Sequence, residues 1–294
     1  MKKNQQEWCG KFVLGTVQFG LDYGVSNPAG KISTEEVARI LKLARDSGVS
    51  GLDTAAVYGS SEKVIGDCLG QGAAAFDIIS KLPGGLAGDA LMAALDQSLE
   101  RLRIERLDAY LVHAPAEMLK PDVQEFLARS KAEGKVKKVG VSVYQTEEVE
   151  QLWEQGIDFD ILQIPFSVFD QRFAVLFDQL RARKVEVHAR SVFLQGLLFM
   201  KPDELPPHFA SVRESIRELH ELAENSGLSL SSLLLNFAMA QQGIDRVLVG
   251  VSGLSDLQEN LEAFDDLEKI DKLLPKLESL SMTDENIVLP TNWS

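Results

Sequence analysis

Short runs of apolar and β-branched residues alternate with amphipathic stretches along nearly the whole chain. The runs predict eight strands, near Phe12–Thr16, Val49–Asp53, Asp77–Lys81, Ala109–His113, Lys138–Val143, Ile161–Ile164, Val185–Ala189 and Arg246–Gly250. Between them the apolar period changes to that of a helix. STEEVARILKLARDSG opens on a Ser/Thr cap with acids in its first turn and stops at Gly48, as helices do. In GDALMAALDQSLERLRI, Leu91, Leu95, Leu99 and Leu102 lie at the spacing of one buried face. Further helices are predicted at Asp122–Glu133, Thr146–Glu154, Gln171–Arg183, Val212–Ser226 and Leu230–Gln241. The Pro-rich MKPDELPPHFASV reads as a loop over one rim, and the chain after Phe264 as a helical piece with an extended end.

Strand–helix alternation without runs of hairpins implies a parallel sheet. No Gly-x-Gly-x-x-Gly follows the first strand, so the fingerprint of an open dinucleotide-binding sheet is missing. Eight repeats in 294 residues fit a closed (β/α)8 TIM barrel, an α/β fold of ~250 residues. No linker, low-complexity tract or second domain interrupts the pattern, and residues 1–294 are read as one domain.

Composition narrows the partners. A net charge of −14 argues against a nucleic-acid backbone or an anionic membrane. Cys9 and Cys68 are the only cysteines and no Cys/His cluster accompanies them. Neither a metal site nor a disulfide framework is therefore expected, and a reducing cytoplasm fits. MKKNQQEWCGKF has no apolar stretch behind its lysines, so a signal peptide is not expected. No apolar segment approaches the ~18 residues of a membrane span.

Candidate chemistry starts from Asp53, a charge at the end of a strand that should still be burying side chains. A buried carboxylate is costly unless a cation meets it. In a barrel the carboxyl ends of the strands converge on one face. The third predicted strand ends at Lys81 and the fourth at His113, while Tyr58 follows the second. Singly, a strand-end lysine is usually a solvated cap and a lone histidine an interior residue; together they form a set. A phenol releases its proton near pH 10, and a nearby ammonium stabilises the phenolate. Asp53 would hold the lysine charged, and His113 would donate to an oxygen bound beside Tyr58. Such a group suits protonation of a carbonyl oxygen while hydride arrives at its carbon.

The stretches GLDTAAVYG, SKL, LDAYLVHAP, VGVSVY, LQIPFSVFD, ARSVFLQGLL and LVGVSGLSDLQENL, in that order, resemble the aldo-keto reductase family of bacterial type over nearly the full chain. The resemblance implies a (β/α)8 barrel that interconverts aldehydes or ketones and alcohols, with a nicotinamide dinucleotide extended across the strand ends. It makes Tyr58 the general acid/base, tuned by Lys81 and Asp53, with His113 orienting the carbonyl. Ser142 and Gln163 match positions that hold the nicotinamide carboxamide, and Thr16 one near the nicotinamide ribose. Glu259 and Asn260 match the pair at the adenine end.

Several positions depart from the family pattern. Val143 replaces an asparagine after Ser142, and Arg190 stands where a tyrosine commonly stacks on the nicotinamide. Ala114 replaces a tryptophan, which implies a wider substrate pocket, lined also by Tyr144, that admits sugar-like carbonyls. Gly250 and Ser252 stand where relatives often carry a basic residue, and Asp256 where others place Arg or Gln. Family habit favours NADP(H) slightly over NAD(H), whereas the absence of Lys and Arg from Val247 to Phe264 predicts weak discrimination. A rival reading is a redox-responsive regulatory protein of the same fold with little turnover. Another is an aldolase forming a Schiff base on Lys81, which Asp53 opposes by favouring the charged ammonium.

Overall fold

The computed structural model describes residues 8–24, 30–70 and 75–293. Residues 1–7, within the stretch expected to lack a signal peptide, and residue 294 of the tail lie outside the described residues. Eight parallel strands close on themselves in chain order. They are β1 Phe12–Gly15, β2 Gly51–Asp53, β3 Asp77–Leu82, β4 Leu107–Val112, β5 Val136–Ser142, β6 Ile161–Pro165, β7 Glu186–Arg190 and β8 Arg246–Gly250. Closure is made by β1 against β8, with Val13 opposite Leu248 and Gly15 opposite Gly250. This is the (β/α)8 barrel that the alternation predicts.

Side chains alternate across each strand, so the barrel has an inner and an outer core. Val13, Ile79, Ala109, Leu111, Ile161 and Leu248 fill the inside as a cluster of their own. The helices pack a larger core against the outside. At the amino ends of the strands an ion network plugs the barrel. Lys138 Nζ lies 2.5 Å and His188 Nε2 2.8 Å from the Glu186 carboxylate, while Arg246 pairs with Asp77 at 2.9 Å and with Glu186 at 3.3 Å. Burial would raise the Glu186 carboxyl, but His188 and Lys138 outweigh it and hold it down to about 2.

The helices follow their sequence signals closely. Ser33 Oγ accepts from Glu36 N and starts the helix Thr34–Asp46, which buries Val37, Ile40, Leu41 and Ala44. Leu91, Leu95, Leu99 and Leu102 are the buried face of Asp89–Leu102. The predicted helix Gln171–Arg183 divides instead into a 3-10 turn, Arg172–Leu176, and a short helix, Phe177–Ala182. The Pro-rich segment forms 3-10 turns that bury Leu205 and Phe209, with the Phe209 ring 4.9 Å from that of Trp293 in the tail. Among the described residues, no helix is long and apolar enough to cross a membrane.

The helix Ser61–Leu69 was not among those expected, because Gly66 lowers its local propensity. Packing explains that glycine: a Cβ there would lie 2.1 Å from the Arg101 carbonyl oxygen at the end of the neighbouring helix. On an exposed helix Gly→Ala gains up to ~1 kcal/mol, but forced overpacking costs ~1–3 kcal/mol. Gly66→Ala should therefore lower the urea midpoint of unfolding. An unchanged or raised midpoint would show that the two helices separate freely.

Candidate active site

The rim at the carboxyl ends of the strands gathers the polar residues singled out above. Asp53 and Lys81 are 4% and 1% exposed. Their side chains form an ion pair, and Lys81 Nζ also donates to the Thr54 carbonyl at 3.0 Å. The second Asp53 oxygen accepts from Gln163 Nε2 at 2.8 Å. Burial by itself pulls the lysine pKa down, yet the adjacent Asp53 carboxylate and Tyr58 more than reverse this, so the ammonium stays charged. Lys81 Nζ lies 5.2 Å from the centroid of the Tyr58 ring. The Tyr58 and His113 rings meet edge to face, 6.4 Å apart at 84°.

Tyr58 is held by a close crossing of two loops. A Cβ on Gly20 would fall 1.8 Å from the Tyr58 carbonyl oxygen, and one on Gly59 2.5 Å from that of Gly20. Gly59 also has φ 56°, a conformation that side chains resist. Under the crossing, Ser61 Oγ donates to the Thr16 carbonyl at 2.9 Å, and Thr16 Oγ1 donates to the Asp53 carbonyl at 2.9 Å. Thr16 is thus fully buried. It meets the cavity above the rim while its hydroxyl is used within the protein.

That cavity has a volume of about 720 Å³ and runs from Tyr58 and His113 to the loop after β8. At the first end it is lined by Ser142, Tyr144, Gln163 and Arg190, and at the other by Gly250, Ser252, Asp256, Glu259 and Asn260. Lys81 lies beneath it. Ser142 Oγ donates to Gln163 Oε1 at 3.4 Å across the paired ends of β5 and β6. The Arg190 guanidinium lies 4.2 Å from the centroid of the Tyr144 ring and donates to the Val143 carbonyl at 3.0 Å. The cation expected to face a nicotinamide is therefore already stacked on a tyrosine of this chain.

Ala114 differs from expectation. It is exposed and lies outside the residues that line the cavity. Its backbone is extended, at φ −126° and ψ 125°, so once His113 turns inward the next side chain turns out.

Other lining residues were not singled out in the sequence, among them Gln18, Tyr23, Phe193, Gln195 and Ser231. Gln195 reaches across to the Tyr23 hydroxyl, donating at 3.1 Å. Its loop turns through left-handed backbone at Ser191, Leu194 and Gln195 as well as Gly196, of which only the glycine is a readable cue. Gln18 is 8% exposed, and among the described residues its Oε1 has no hydrogen-bond partner although it is buried against the cavity. It lies 3.0 Å from where a Cβ on Gly250 would be.

These features fit an extended dinucleotide. Gly15 and Gly250 leave the closing pair of strands bare, and Gln18 Oε1 offers an acceptor that no described residue uses. Among the described residues, no group of His, Cys, Asp and Glu could hold a metal ion.

The model of the Aldo/keto reductase family matches residues 11–279. The L-glyceraldehyde 3-phosphate reductase of Escherichia coli (strain K12) is 29% identical, covering 93% of this chain and 91% of that protein. The glyoxal reductase of Bacillus subtilis (strain 168) is 28% identical over 87% of this chain and 88% of its own. In fold, the chain is similar to an aldo-keto reductase of Bacillus halodurans in its holo form, with TM-score 0.72, 19% identity and coverage of 94% of each chain. An aldo-keto reductase of Klebsiella pneumoniae in complex with NADPH gives TM-score 0.67 at 22% identity, covering 90% of this chain and 91% of that one.

Burial, then the Lys81 and Arg190 charges, push the His113 imidazole down from 6.5 to about 4. An unfolded chain takes up this proton near 6.5 and the native one only near 4, so native stability is lost as pH falls through that window. An NMR titration of the imidazole should give a midpoint near 4. A midpoint at or above the ordinary histidine value would contradict the described environment.

Proposed function

The chain belongs to the aldo/keto reductase family, and on that premise we propose that it reduces aldehydes or ketones, with Tyr58 as the proton donor. The observation that carries this reading is the buried Lys81 ammonium, fixed by Asp53 beneath a tyrosine that opens onto the cavity opposite His113.

Each residue has a task that follows from its surroundings. A bound nicotinamide supplies the hydride that adds to the carbonyl carbon. Tyr58 gives its hydroxyl proton to the carbonyl oxygen, and the Lys81 ammonium stabilises the phenolate until a solvent proton restores it. Asp53 keeps that ammonium charged and in place, using one oxygen for Lys81 and the other for Gln163. Because His113 is neutral down to about pH 4, it orients the carbonyl as a hydrogen-bond donor and leaves the proton transfer to Tyr58. Ser142 and Gln163, already joined, would hold the carboxamide of a nicotinamide ring. Arg190 and Tyr144 form one wall beside it.

The related reductases are named for L-glyceraldehyde 3-phosphate and glyoxal. We take short polar or sugar-like aldehydes as the substrate class, and a cytoplasmic setting that agrees with the free thiols of Cys9 and Cys68. The family lean towards NADP(H) enters here as the starting expectation, to be weighed against the residues of the loop after β8.

Tyr58→Phe removes only the hydroxyl. Its turnover of a generic aldehyde should fall by ~10²–10⁴, while a fluorescence titration with reduced cofactor stays near that of the parent. Turnover close to the parent's would eliminate Tyr58 as the acid.

A further inference from the structure

The loop between β8 and the helix Leu254–Glu262 forms the end of the cavity away from Tyr58 and His113. Exposed amides at such a loop and helix start usually serve anions. Here two of them are already used by carboxylates. Ser252 N donates to Asp256 Oδ2 at 2.8 Å, and Leu254 N donates to Glu36 Oε1 at 2.9 Å. A third carboxylate, Glu259, lines the same end and accepts from the Ser231 hydroxyl. No Lys or Arg lies between Val247 and Phe264. Arg39, close by on the helix Thr34–Asp46, is committed to the second oxygen of Glu36.

We propose that Asp256, which lines the cavity, and Glu36, which occupies the Leu254 amide behind it, set the cofactor preference of this chain, fitting the cavity to a dinucleotide whose adenosine ribose carries free hydroxyls, NAD(H), and disfavouring one with a 2′-phosphate. The inference rests on the oxidoreductase reading above. Hydride transfer puts the nicotinamide beside Tyr58 and His113, and the length of an extended dinucleotide then brings its adenosine to the loop after β8. Carboxylates there accept hydrogen bonds from a ribose diol, the pairing that acidic residues make with NAD elsewhere. A phosphate dianion would meet like charge from Asp256 and Glu259, which line the cavity, and would find the amides of Ser252 and Leu254 occupied. Electrostatic repulsion between like charges close together outweighs the weak contacts that hydroxyls alone would offer.

Dissociation constants for NADH and NADPH, measured side by side by fluorescence titration, test this. The parent protein should bind NADH at least ~10-fold more tightly, a difference of ~1.4 kcal/mol. Asp256→Asn and Glu36→Gln keep an acceptor oxygen for each amide while removing the charge. Each should tighten NADPH several-fold, and Asp256→Asn should also weaken NADH, because its second carboxylate oxygen no longer accepts from the ribose. In the parent, added salt should narrow the preference, since screening weakens repulsion; this arm needs no variant. Tighter binding of NADPH by an active parent protein would overturn the inference and leave the oxidoreductase reading intact. So would variants that shift both cofactors equally, or a preference indifferent to salt. Failure to bind either dinucleotide would overturn both.

Discussion

The ion pair between Asp53 and Lys81 is the constraint around which the carboxyl rim is organised. Two charges taken almost wholly out of water cost several kcal/mol each unless they meet each other and satisfy their remaining hydrogen bonds. Here both Asp53 oxygens are used, and Lys81 reaches the Thr54 carbonyl as well. That requirement ties β2, β3 and β6 together at one height in the barrel. It also leaves the ammonium under Tyr58, where a phenolate can form. The structural demand and the chemical one are met by the same atoms.

The two ends of the barrel spend their charges differently. At the amino ends, Glu186 gathers Lys138, His188 and Arg246, and Arg246 goes on to Asp77, which closes the floor. Conditions there suit stability. At the carboxyl ends, polar groups face a cavity, and the buried Oε1 of Gln18 has no partner among the described residues. His113 is kept neutral by burial and neighbouring cations. A neutral imidazole, a charged lysine and a tyrosine thus stand together at one rim, each in its own environment.

Much of this was legible in the sequence, and the limits have physical causes. The eight strands and most helices follow from apolar period and caps, because those signals are local. Asp53 could be matched with Lys81 because a strand-end carboxylate needs a cation, and parallel topology supplies one a repeat later. Gly66 hid its helix, since its reason lies in a neighbour across space. Ala114 carried the likeness of a pocket residue, but one step of backbone beyond His113 turned it outward. Gln18, Tyr23 and Gln195 reach the cavity through loops whose left-handed turns have no marker apart from Gly196. Arg190 stacks on Tyr144, a pairing that depends on how the chain leaves β5 and β7 and that neither residue signals by itself.

The central claim, that Asp53 and Lys81 act as one unit upon Tyr58, is tested most directly by a double-mutant cycle on kcat/KM for carbonyl reduction. The variants are Asp53→Asn, Lys81→Met and the two combined. Residues that work as a unit lose their effect together. The account predicts a severe loss in Lys81→Met and a double variant no worse than the poorer single one. Losses that add, or near-parent activity in Lys81→Met, would contradict it.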